Sequence, residues 1–170
     1  METPTYMTPA IKAMIGRQDS FTSQEEIGEV TIKRFARAIG DPNPLYSDKK
    51  YAKRSRFKGL IAPPTLVFEL NHNFMGEIAE EDGGYLDKIT LPSPFDMVIR
   101  GGNEYEFLRP VIASDCITSR RKIVQIYAKK GKRGPLIFVV CEITYSNQTG
   151  EVLGINRETL IFMSSKGAPK

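Results

Sequence analysis

The sequence predicts an α+β domain in which one buried helix is wrapped by an antiparallel sheet. Two observations carry this. Residues 65–75 (TLVFELNHNFM) place Leu66, Val67, Leu70, Phe74 and Met75 as a continuous apolar stripe, between Pro63-Pro64 and Gly76. Prolines suit a helix entrance, and such a stripe is the pattern of a helix packed on a sheet. From Met97 onward the chain then reads as strands. Residues 103–108 alternate, and 116–128, 136–146 and 152–163 are long and rich in β-branched residues. One helix followed by a meander is an α+β layout.

The remaining elements follow in order. Residues 1–20 are an N-terminal extension with a short helix over 10–15, closed by Gly16. Phe21-Thr22 is the expected start of a strand. Val30, Ile32, Phe35, Ala36, Ala38 and Ile39 recur close to helical spacing, with Thr31 as the expected cap and Gly40 as the stop. Gly40-Asp41-Pro42-Asn43-Pro44-Leu45 is a tight polar turn, and Ser47 is the expected cap of a second short helix through Ala52, with Asp48 at its positive end. Residues 76–96, acidic and then rich in Gly and Pro, read as a flexible loop. Pro110, residues 129–134 and residues 147–150 punctuate the strands.

A chain of 170 residues is one domain by length, here 1–170, and long enough to bury a core unaided. With 24 basic and 20 acidic residues the net charge is +4, a mild excess that suits an anionic ligand. No recognition motif for nucleic acid appears. No apolar run approaches the ~18 residues of a membrane span. The N-terminus lacks a basic start followed by an apolar stretch, so a cytoplasmic location is expected. Cys116 and Cys141 sit in apolar surroundings without metal-ligand spacing, which reads as reduced, buried thiols. No metal and no cofactor is expected.

Three segments together carry a resemblance: GDPNPLY at 40–46, Tyr51-Ala52, and GLIAPPT at 59–65. They resemble a MaoC-type dehydratase, of the N-terminal type related to the fatty-acid-synthase dehydratase region. Arg100-Gly101-Gly102, EYEFLRP at 104–110 and NQTGEV at 147–152 agree, so the resemblance spans residues 20–163. It implies a hot-dog fold, a long central helix in an antiparallel sheet. It also implies pairing with a second hot-dog subunit, as a homo- or heterodimer, and binding of acyl-CoA or acyl-carrier thioesters near the interface. Active members hydrate a trans-2-enoyl thioester to a (3R)-3-hydroxyacyl thioester, or run the reverse.

That chemistry needs a carboxylate and an imidazole to activate water and move a proton. It also needs a backbone N–H, usually from a glycine at the central helix, to stabilise the enolate-like thioester oxygen. The resemblance places Asp41 at the catalytic aspartate and Asn43 as a brace of the turn. It places Tyr46 where the histidine stands and Pro64 where the glycine stands. A phenol titrates near pH 10, against about 6.5 for imidazole, and proline has no N–H. Two of three catalytic elements are thus missing.

The expected function is therefore the non-catalytic, substrate-shaping subunit of a heteromeric hydratase or dehydratase, with activity supplied by a histidine-bearing partner. Two alternatives stay open: a self-sufficient hydratase using Asp41 with Tyr46, and an acyl-CoA-binding protein without chemistry. Pro64 and Thr65 at the helix entrance are the expected substrate-binding positions, with Arg100 and Arg109. Arg100, Arg109, Arg120, Arg121 and Lys122 are candidates for CoA phosphates, set against a solvated strand face. His72, the single histidine, reads as structural, and Glu69 is the one carboxylate a thioesterase could use.

Overall fold

A computed structural model describes residues 6–23, 25–68, 89–92 and 94–166. The helices lying wholly within the described residues are α1 (Pro9–Lys12), α2 (Glu29–Ala38), α3 (Pro44–Ser47) and α4 (Lys49–Arg54), all short and ahead of most of the sheet. The strands are β1 (Gln18–Thr22), β2 (Met97–Phe107), β3 (Thr118–Gly131), β4 (Gly134–Ser146) and β5 (Val152–Met163). They form one sheet in the order β1-β3-β4-β5-β2, every pair antiparallel.

Alternation fixes which face of the sheet is buried. On β4, Ile137, Val139, Cys141, Ile143 and Tyr145 point inward, and on β5 Leu160 and Phe162 do. The register slips between Ile123 and Gln125, so Ile123 and Ile126 both face the core although three positions separate them. Buried apolar residues divide into two clusters along the strands. One joins Ile32, Ala36, Tyr46, Leu66 and Phe68 to Ile143 and Tyr145; the other joins Ile11, Ile89, Leu91 and Phe95 to Ile137, Val139 and Phe162. Ile89, Leu91 and Phe95 lie in the segment expected to be a flexible loop, and they are core residues; 76–88 and 93 lie outside the described residues.

Only Leu66, Val67 and Phe68 of the expected central helix are described as helical, and all three are buried. The rest of 65–75 lies outside the described residues beyond Phe68, as do Glu69 and His72. Phe68 shows how the helix start meets the sheet. It stacks on Tyr105 at 4.4 Å and meets Tyr145 edge-on at 4.9 Å. Gly154 admits this approach, since a Cβ there would lie 2.9 Å from the Glu106 carbonyl and 3.2 Å from Phe68 Cζ.

Several local expectations change. Phe21-Thr22 ends β1 rather than beginning it, because Ser23 turns away to bond Ile117 through both backbone and side chain. Gly28, not Thr31, sits at the cap of α2, so Thr31 is inside the helix. The cap of α4 is Asp48, whose Oδ1 accepts from Lys50 and Tyr51 at 2.8 and 3.0 Å; Ser47 instead closes α3. A carboxylate caps as well as a hydroxyl and adds charge at the positive helix end. Gly40 does stop α2, at φ 69°, where a side chain would be strained. The strands run further than their apolar cores, to Gly131 and from Gly134, because pairing across the hairpin overrides the low strand preference of lysine and glycine.

Candidate functional site

The segment between α2 and α4 is built from side chains that hydrogen-bond their own backbone. The Asp41 N–H donates to the Ala36 carbonyl at 2.9 Å, which folds the chain back after the helix. Asp41 Oδ1 accepts the Asn43 N–H at 3.0 Å, and Asn43 Oδ1 accepts the Leu45 N–H at 3.0 Å. These are two successive Asx turns, and the second caps α3, with Pro44 at its first position. The polar turn expected from the sequence thus contains a one-turn helix, and that helix aims Tyr46 inward.

Tyr46 is buried, with 7% of its surface exposed. It shares the first core cluster with Ile61, Ala62 and Leu66, and the Ile61 N–H donates to the Leu45 carbonyl at 3.2 Å. The two motifs, 40–46 and 59–65, therefore meet. Burial pushes the Tyr46 phenol above its ordinary range, the Asp41 charge adds to this, and a hydrogen bond with the Asn43 side chain opposes it. Pro64 and Thr65 are exposed in the turn after buried Pro63, where the Leu66 N–H reaches the Pro63 carbonyl at 3.0 Å. The arrangement thus brings together a buried phenol, a carboxylate that accepts a backbone N–H within its own turn, and an exposed proline at the start of the 64–68 segment.

The arginines separate. Arg109 is exposed and pairs with Glu151 at 2.9 Å, on the turn between β4 and β5. Arg100 pairs through Nε with the buried Glu158 at 2.8 Å. Arg121, read as part of a solvated or phosphate-facing strand surface, is buried; its Nη2 and Nε meet Asp19 at 2.8 and 3.2 Å. Arg120 and Lys122 are exposed. Both cysteines are free thiols; Cys141 is buried and Cys116 half-buried. Among the described residues no helix is long and apolar enough to cross a membrane.

Sequence reasoning missed a polar layer inside the sheet. Asn156 and Glu158 face inward between Gly154 and Leu160, with only 1% and 3% of their surfaces exposed. Asn103 of β2 lies opposite Glu158, and Tyr145 hydrogen-bonds Asn156. The signal was available: polar residues two apart, in step with the apolar residues of a buried strand face. Burial drives the Tyr145 phenol far above its ordinary value, as it does more modestly for Tyr46.

Both groups start from 10.0 and are raised on folding. Their contribution to stability is therefore complete below about pH 10 and is lost as pH rises through the folded values, because the unfolded chain then ionises first. The expected result in denaturant titrations is a fall in stability that begins near pH 10. Tyr145→Phe should make that fall shallower than in the wild type; an unchanged slope would contradict the buried-phenol account.

Comparison with known proteins agrees with this architecture. Residues 13–155 match the sequence family described as FAS1-like, dehydratase domain region. A UPF0336 protein of Streptomyces avermitilis is 32% identical over 120 residues, covering 71% of this chain and 75% of that protein. Two solved structures share the fold. A MaoC-like dehydratase from Rhodospirillum rubrum superposes with a TM-score of 0.65 at 21% identity, over 88% of this chain and 92% of that one. The ChsH1-ChsH2 complex from Mycobacterium tuberculosis gives 0.70 at 18% identity, over 95% of this chain and 90% of the matched one. With a match over most of its length and a five-stranded antiparallel sheet whose fold these solved structures share, the chain belongs to the family described as FAS1-like, dehydratase domain region.

Proposed function

We propose that this chain is the non-catalytic, substrate-shaping subunit of a heteromeric, cytoplasmic hydratase or dehydratase acting on 2-enoyl or (3R)-3-hydroxyacyl thioesters. The observation that carries the reading is the burial of Tyr46, a phenol raised above its ordinary pKa, at the position that the motif resemblance aligns with a catalytic imidazole. Asp41 and Asn43 then hold the turn, and Pro64 with Thr65 borders the acyl pocket without an N–H for the thioester oxygen at position 64. Arg100 and Arg109 are the candidate contacts for the phosphates of a CoA or carrier-bound thioester. In this reading the whole chain, 1–170, acts as one domain.

The free edge of the sheet supports a second subunit. β2 bonds only to β5 among the described residues, and Met97, Val98, Ile99 and Phe107 are each 43–51% exposed. A strand of 11 residues with apolar side chains on both faces is a template for pairing with another sheet. The ChsH1-ChsH2 neighbour is itself a complex of two proteins.

The test is Asp41→Ala in the assembled heteromer. The expected kcat is within about threefold of wild type, since an Asx turn rather than a reacting group is lost. A drop of about a hundredfold or more, the scale of a lost general base, would instead make Asp41 a catalytic residue and the chain an enzyme in its own right.

A further inference from the structure

The β3–β4 hairpin ends in Lys129-Lys130-Gly131-Lys132-Arg133, and only Lys132 and Arg133 form the turn, because Gly131 and Gly134 still pair. Its four cations equal the chain's entire excess of 24 basic over 20 acidic residues. No carboxylate among the described residues pairs with any of them, whereas Arg100 and Arg121 on the same sheet, and Arg109 just beyond β2, are each paired. Lys129 is held by other means: its Nζ lies 5.0 Å from the Phe138 ring centroid and 5.4 Å from that of Tyr127. Two clefts flank the tip. One, of about 450 Å³, runs between Lys130, Lys132, Tyr6 and Pro135; the other, of about 320 Å³, lies beside Arg133, Leu136 and Met163.

Like charges crowded on a tight turn repel one another, and an anionic occupant relieves that repulsion. The hairpin needs no loop ordering to present them, so little entropy is lost on binding. We propose that this tip is a docking surface for an acidic, amphipathic helix of a partner protein. The cationic rim matches carboxylates, and Leu136, Met163 and Met97, which share the outward face of the sheet beside Arg133, match an apolar helix face. Nucleic acid fits less well. Tyr127 and Phe138 stack on each other at 4.9 Å beneath Lys129, and Tyr6 is edge-on to Phe95, so no ring is presented for a base. The tip lies roughly 40 Å along β3 from the end that packs near Tyr46, at about 3.3 Å per residue over 14 residues. The surface is thus separate from the Asp41 turn and does not depend on the subunit reading.

The probe is a synthetic peptide with glutamate and leucine at helical spacing, titrated into the full chain by calorimetry at two salt concentrations. A peptide of the same charge broken by proline, a single-stranded oligonucleotide and anionic vesicles are the comparators. The helical peptide should bind best. The triple variant Lys130→Glu, Lys132→Glu, Arg133→Glu should weaken it at least about tenfold, and Lys132→Glu alone about threefold, with thermal stability unchanged. Lys132→Glu serves as the readout if the triple variant fails to fold. Equal binding of the proline-broken peptide, tighter binding of the oligonucleotide or vesicles, or no binding at millimolar peptide would each overturn the proposal.

Discussion

Replacing Val98 and Ile99 together by lysine is expected to weaken subunit association about a hundredfold, or roughly 2.7 kcal/mol. The two residues sit next to each other on β2 and point to opposite faces of the sheet, with 45% and 46% of their surfaces exposed. In the isolated chain the lysines reach water, so folding is little affected. In an assembly that continues the sheet across β2, they bury charge without a partner, which is among the costliest changes an interface can suffer. Sedimentation velocity over a concentration series reads the effect directly. A variant that associates as tightly as the wild type would place the interface elsewhere.

Ile137→Ala is expected to lower folding stability by about 3 kcal/mol, at the middle of the range for emptying a packed aliphatic site. Ile137 is fully buried, paired opposite Ala128 and Phe162, at the centre of the second cluster. For a chain of this length that corresponds to roughly 6–12 °C in Tm. Val30→Ala is the control, since Val30 is 62% exposed although it lies in the apolar pattern of α2. A loss below about 1 kcal/mol at Ile137 would mean that this cluster is loosely packed.

These contrasts show what a sequence can and cannot disclose. The long strands were legible because runs such as Ile137 to Tyr145 alternate in step with a buried face, and local chemistry marked the 40–45 turn. Val30 and Ile32 look alike in sequence, yet one is exposed and the other buried. Helical phase separates them only once the packing partner is known. The register slip near Val124 hid the inward direction of Ile126, since one extra residue inverts the alternation. Arg121 looked like one of three surface cations in a row; its burial depends on Asp19, which lies 102 positions away. In the two motifs, the residue types at 41, 43, 46 and 64 were readable, and so was the lack of a histidine within 40–46 and 59–65. The burial of Tyr46 was not, because it depends on a one-turn helix hidden in the polar turn and on contacts with residues 61–66.

The proposal that matters most is that the chain by itself is catalytically silent. The most direct test follows the conjugated thioester absorbance of a short and a long trans-2-enoyl-CoA with the purified chain, alone and then with a histidine-bearing hot-dog subunit. No turnover alone, and turnover restored by the partner, is the predicted result. Hydration by the chain alone, with kcat on the order of 1–1000 per second, would contradict it and assign the chemistry to Asp41 and Tyr46.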